Sequence, residues 1–189
     1  MQPGGAENIK GDMNIFEKIA LPAVLQFEGG YVDHPADKGG ATNKGITQAT
    51  FDHFNDARSR KIRPVSEIME IEVKEIYYFD YWVAGKCDKI KHPKAVVLHF
   101  DSCVNHGISR AAKFLQEAVD VKVDGIIGKV TLEAVNKYKE QGLIYRYLEI
   151  REEFYHRLAE KEPTQKVFLM GWLNRLEKLK VILDKMEAV

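Results

Sequence analysis

The sequence has little of what usually places a protein quickly. There is no excess of basic residues: Lys+Arg and Asp+Glu each total 28 in 189 residues. The positive charge that a nucleic-acid binder sets against phosphates is missing, so no nucleic-acid partner is expected. Long apolar runs are missing too. A helix crossing a bilayer needs roughly 20 apolar residues, and runs such as Ala95-Val96-Val97-Leu98 fall far short, so membrane insertion is not expected. The opening MQPGGAENIKGDMN lacks a basic segment followed by an apolar core. No secretory signal is read there, and residues 1–13 are expected to form a flexible polar leader.

Cysteine is scarce as well. Cys87 and Cys103 form no CxxC pair and lack the spacing of metal ligands; they read as two half-buried, reduced thiols of a cytoplasmic protein. The six histidines, His34, His53, His92, His99, His106 and His156, make no HExxH and match no cysteine ligand set. No metal or cofactor is therefore expected. His99 and His106 read as partly buried, hydrogen-bonded side chains. Gly/Ser/Pro-rich linkers are absent, which suggests two lobes sharing a core rather than independent domains.

What remains is an ordinary soluble composition, 45% hydrophobic and 30% charged, with apolar spacing that is mostly helical. Ile15, Phe16, Ile19, Ala23, Val24 and Phe27 share one helix face, with Asn14 as its N-cap and Pro22 as a kink. Glycines 29, 30, 39, 40 and 45 then break the helix into a hairpin or loop. A short helix over 47–57 is capped by Thr47. A basic loop, Arg58 to Val65, reads as solvated, with contact to an anionic surface as the other reading. Ser66 caps a helix through Trp82 that closes at Gly85. Further helices are expected over 93–104, 109–119, 129–140, 142–160 and 164–187. The fold class is mainly α with one small β-hairpin. The lobes are placed at 14–90 and 91–189.

The segment Glu28 to Thr47, EGGYVDHPADKGGATNKGIT, concentrates the chemistry. Glu28 ends an apolar helix, and partial burial raises a carboxyl pKa, which suits a general acid. Asp37 follows nine positions later and Thr42 five after that. Gly39 and Gly40 between them let the chain turn back, so Asp37 and Thr42 can face Glu28 and hold a water. Paired carboxyl groups of this kind cleave sugar bonds. A separation of about 6.5–9.5 Å suits inversion and about 5 Å suits retention, and both remain open. Asp33 and Asp37 also have a plain turn-stabilising reading, favoured for Asp33. Tyr31 and Trp82 are the candidate stacking platforms for sugar rings among the aromatic residues. Asp101 and Asn105 either line the floor of the cleft or brace helices.

The run E-G-G-Y-x5-D-x-G-G-x-T-x2-G-I-T resembles the N-terminal motif of the glycoside hydrolase family 108 muramidases, lysozyme-like endolysins that cleave peptidoglycan. The likeness continues through Tyr77, Tyr81-Trp82, Phe100-Asp101-Ser102, Val104-Asn105-His106-Gly107 and Leu115-Gln116. It ends near Phe168-Leu169-Met170-Gly171-Trp172-Leu173-Asn174-Arg175. It implies a lysozyme-like fold with Glu28 as the catalytic acid. The order Glu28, Asp37, Thr42 is also similar to that of phage T4-type lysozymes, with one residue more between Asp and Thr. A second run, Val123-Asp124-Gly125-Ile126-Ile127-Gly128-Lys129-Val130-Thr131, resembles the turn of small helical peptidoglycan-binding modules. Its physical reading is a helix–loop–helix connection, and it lacks the ligand spacing of a calcium loop.

The resemblance implies a monomeric muramidase without a cofactor, acting on peptidoglycan glycan strands. Such an enzyme is held in the cytoplasm until a holin or an export system releases it to the periplasm or cell wall. Two alternatives stay open on the same fold: a lytic transglycosylase, and a non-catalytic peptidoglycan-binding or secretion-accessory protein.

Overall fold

A computed structural model describes residues 13–32 and 40–186. The leader up to residue 12 and the segment 33–39, which holds Asp33 and Asp37, lie outside the described residues. The fold is mainly α with one two-stranded antiparallel hairpin, as expected.

The first helix, α1, joins a π-helical turn, Phe16–Ala20, to an α-helical turn, Leu21–Leu25. Pro22 accounts for the change of pitch. It has no N–H for the preceding turn, and its ring crowds the carbonyl four residues back. The turn widens, and the Leu21 N–H donates to the Phe16 carbonyl. Asn14 is not the cap, because the helix already includes residues 13–15.

The hairpin pairs β1 (Thr42–Asn43) with β2 (Ile46–Thr47), in register Thr42 to Thr47 and Asn43 to Ile46. Its two central residues, Lys44 and Gly45, both have positive φ, 51° and 74°. That backbone matches strand twist in two-residue hairpins. Val32 closes the intervening loop through reciprocal 2.8 Å backbone bonds with Thr42.

Helix α2 (Gln48–Asp56) starts at Thr47, whose hydroxyl accepts from the Thr50 N–H at 3.2 Å. Helix α3 (Glu70–Tyr77) runs on into a second π-helical turn, Tyr78–Val83. Its start is set by Glu72, whose carboxylate accepts from the Met69 N–H at 2.9 Å. Ser66 sits instead in a short 3₁₀ turn, Val65–Glu67. The basic loop is largely exposed, as expected, but its arginines are tied to the protein. Arg63 pairs with buried Glu72, Arg60 with Glu75, and the Arg58 guanidinium lies 3.9 Å above the Phe54 ring.

Helix α4 (Pro93–His106) runs through the centre, and every residue from Ala95 to Cys103 is buried. Phe100 on α4, Phe16 on α1 and Trp82 meet edge to face, with ring centroids 5.3–5.6 Å apart. Fully burying side chains of this size contributes about 1.5–3 kcal/mol each. Four helices follow: α5 (Ile108–Ala118), α6 (Lys129–Lys137), α7 (Glu140–Lys161) and α8 (Leu169–Lys185). One apolar cluster spans both halves of the chain, from Phe16, Phe51 and Ile76 to Leu115, Tyr147 and Leu179.

The Asp124-Gly125 turn between α5 and α6 is held by a buried side chain. The Gln116 amide nitrogen donates to the Asp124 carboxylate at 2.8 Å and the Ile126 carbonyl at 3.1 Å, and its oxygen accepts from the Gly125 N–H at 2.8 Å. Gln116→Ala would strand the buried Gly125 N–H and the partly buried partners around it, at about 1–3 kcal/mol for the buried group. The variant is expected to lose about 2–3 kcal/mol in urea unfolding; a loss under 0.5 kcal/mol would refute the stapling role.

Candidate active site

Glu28 lies at a bend just past the end of α1, where the Phe27 N–H still donates to the Val24 carbonyl at 2.9 Å. Its side chain is 24% exposed. Gly29 and Gly30 follow, and a Cβ at either would meet no atom within 4 Å. Among the described residues, nothing packs against the backbone on that side.

On the other side the hairpin presses against it. A Cβ built at Gly45 would lie 2.8 Å from Glu28 Oε2 and 2.6 Å from the Tyr77 hydroxyl. Any larger residue would have to push both side chains aside, and the positive φ favours glycine as well. The Tyr77 hydroxyl donates to the Lys44 carbonyl at 2.9 Å, fixing the hairpin turn to the end of α3. Burial, reinforced by the negative charge of Glu28, pushes the Tyr77 hydroxyl well above its usual range, so it stays protonated as a donor. Tyr81 is raised as well, by burial and then by Asp80 and Glu28.

The third wall comes from the far end of the chain. Arg175 on α8 places Nη1 3.6 Å from Glu28 Oε1, and its guanidinium lies 4.5 Å above the Phe27 ring. The same guanidinium donates twice to Asp101 Oδ1, at 3.0 and 2.8 Å. Asp101 is 1% exposed, and its second oxygen lies 2.8 Å from Nη1 of fully buried Arg151. That contact is an ion pair without the alignment of a hydrogen bond. Burial would raise the Asp101 pKa, but the two guanidinium groups outweigh it and hold the carboxyl below its ordinary range.

Behind Arg151 the network continues. Arg151 and Asn105 donate to the Tyr155 hydroxyl at 3.2 and 3.0 Å, leaving that hydroxyl to donate to His106 Nε2 at 2.9 Å. Trp172 on α8 stacks on Tyr155 with centroids 5.2 Å apart.

The residues singled out from the sequence fare differently. Glu28 lies beside the hairpin with its side chain 24% exposed. Tyr31 is 50% exposed, beside the glycine pair. Thr42 is in β1, with its hydroxyl 3.3 Å from the Gly40 carbonyl. Asp37 lies outside the described residues. Trp82 needs correction: it is fully buried against Phe16 and Phe100 and offers no face to a sugar. Asp101 is also too deep to touch substrate; it braces two arginines from other helices. Asn105 braces Tyr155. Arg175 went unassigned from sequence, since its only signal was its place at the end of the F-L-M-G-W-L-N-R run. Tyr77 had no role at the site assigned either, and Gly45 was read only as a helix-breaking residue of the hairpin.

With this geometry in view, comparisons with known proteins converge. A family model described as glycosyl hydrolase 108 matches residues 21–107. One described as a predicted peptidoglycan domain matches 110–177. The structure of SagA from Brucella abortus is 32% identical, with a TM-score of 0.74, and covers 94% of this chain and 99% of its own. The chain belongs to the glycosyl hydrolase 108 family. No curated protein matches significantly. Family membership supports a glycoside hydrolase with peptidoglycan as its polymer partner. Arg175 falls in the second matched segment and Glu28 in the first, so the two segments meet at one carboxyl group. No helix among the described residues is long and apolar enough to cross a membrane.

The network has a pH signature. Burial and the charge of Arg151 hold His106 at a pKa of about 3, against about 6.5 unfolded. The folded-state value is depressed, so the stability contribution is full above pH 6.5 and falls as pH drops toward 3. By pH 5 the loss should reach about 2 kcal/mol. Urea unfolding at pH 7 and pH 5 should show a larger drop for wild type than for His106→Gln; equal drops would rule this out.

Proposed function

We propose that the chain is an N-acetylmuramidase that hydrolyses the β-1,4 bond between N-acetylmuramic acid and N-acetylglucosamine. The observation that carries this reading is the setting of Glu28: open toward the Gly29-Gly30 side, closed by the hairpin turn, and contacted by one arginine. Glu28 protonates the departing sugar oxygen as the bond breaks. The carboxylate that results faces the Arg175 guanidinium, which offsets its new charge. Because Asp101 and Arg151 hold that guanidinium, it needs no reorientation during the step.

Asp37 and Thr42 take the complementary role. They orient the attacking water or stabilise positive charge at the anomeric carbon. Tyr31, exposed beside the glycine pair, offers a ring face to the glycan. The helical lobe of the second half grips the polymer and carries Arg175 to the site. Action on the wall follows release or export from the cytoplasm.

The products decide the reaction. Purified peptidoglycan incubated with the wild type should yield reducing muramic ends by mass spectrometry. Turnover by Glu28→Gln should fall by about 10²–10⁴-fold, the range for loss of a general acid. Anhydro-muramic ends would replace this reading with a lytic transglycosylase. Binding without any cleavage by the wild type would replace it with a non-catalytic wall-binding protein.

A further inference from the structure

Cys87 and Cys103 look unrelated in sequence, and neither is spaced like a metal ligand. The fold brings both to His99, correcting the reading of two isolated, half-buried thiols. Cys87 opens the 3₁₀ turn Cys87–Lys89, while His99 and Cys103 sit one helical turn apart on α4. All three side chains have no exposed surface. One donor atom from each lies within 4.8 Å of the other two, and His99 Nε2 is 3.5 Å from Cys103 Sγ.

The surroundings orient these donors. His99 Nδ1 is 3.0 Å from the Tyr147 hydroxyl oxygen, and that hydroxyl donates onward to the Ala111 carbonyl at 3.2 Å. The tyrosine proton is then used, so its oxygen accepts from Nδ1–H and the Nε2 lone pair is left facing inward. Outer hydrogen bonds of this type fix the tautomer of metal-ligating histidines. Nε2 faces the Cys103 sulfur and, at 3.0 Å, the Gly85 carbonyl oxygen. Electron-rich atoms gathered this closely in a dry interior need protons or a metal ion between them, and a metal ion can take the place of the thiol protons. The backbone makes room for this grouping: a Cβ at Gly85 would sit 2.6 Å from Cys103 Sγ.

We propose that Cys87, His99 and Cys103, with the Gly85 carbonyl as the fourth ligand, bind one zinc ion. Two thiolates, one imidazole and one carbonyl match the sulfur and nitrogen preference and the four-coordination of closed zinc sites. On binding, each thiol releases its proton to solvent. The two resulting negative charges cancel those of the ion, so the buried site is neutral overall. The ion ties the turn after α3 to α4 on both sides of Asp101, two residues from each α4 ligand. Its role is structural, and no ligand position is left for substrate.

The test uses the full chain without an affinity tag, produced in zinc-supplemented medium and purified without chelator. Elemental mass spectrometry should find one zinc per chain. Cobalt exchange should give a thiolate-to-cobalt charge-transfer band and the intense visible bands of a tetrahedral ion. Cys87→Ser and Cys103→Ser should each lose the metal. If either variant fails to fold, the wild-type metal content and cobalt spectrum decide. Wild-type protein free of zinc with two titratable thiols in denaturant would overturn the proposal. So would zinc-free protein with none, the mark of a Cys87–Cys103 disulfide.

Discussion

The buried carboxylate of Asp101 is the constraint on which this structure turns. Removing a carboxylate from water costs several kcal/mol unless it is paired, and Asp101 is paired twice, with Arg151 from α7 and Arg175 from α8. Neither arginine could be so deeply placed without it. The pairing draws three helices together at one point and leaves Arg175 with a remaining nitrogen directed at Glu28. A structural debt at the centre of the fold thereby positions a charge at the candidate active site.

This arrangement makes the two matched segments interdependent. The N-terminal segment contributes Glu28, the hairpin, Tyr77 and, on α4, Asp101 and His106, while the helical C-terminal segment contributes Arg175, Arg151 and Tyr155. The apolar core is likewise continuous across them. A polymer-binding segment joined only by a tether would add affinity through proximity. Here the second segment also sets a guanidinium beside Glu28.

Much of the fold was legible in the sequence because its signals are local. Helical spacing located α2 and α4 to α8 within a few residues, and Thr47 caps α2 as expected. The Glu28-Gly29-Gly30 run pointed to an acid where the first helix ends, and Glu28 does lie just past it. The failures are of another kind. Trp82 lies in an aromatic-rich run whose exposed and buried faces cannot be told apart by spacing, and it proved to be core. The π-helical turns shift side chains off the regular helical period, which blurs such readings further. For Asp101 the choice between lining a cleft and bracing helices stayed open, because its partners Arg151 and Arg175 lie far along the chain. Glu28 and Arg175 stand near opposite ends of the sequence, and Cys87 meets His99 and Cys103 only after the turn folds onto α4. Pairings of this range leave no mark in local pattern.

The central claim is that Arg175 assists Glu28 from the far segment while Asp101 holds it there. Replacing Arg175 by Met keeps much of the side chain's apolar stem over Phe27 but removes the charge. Comparing its turnover of purified peptidoglycan with wild type, on protein whose circular dichroism verifies folding, tests that claim directly. The account predicts a fall of about 10²-fold or more in kcat, the scale for losing one charge-stabilising group, with Arg175→Lys recovering part of it. Wild-type turnover in a folded Arg175→Met protein would contradict it.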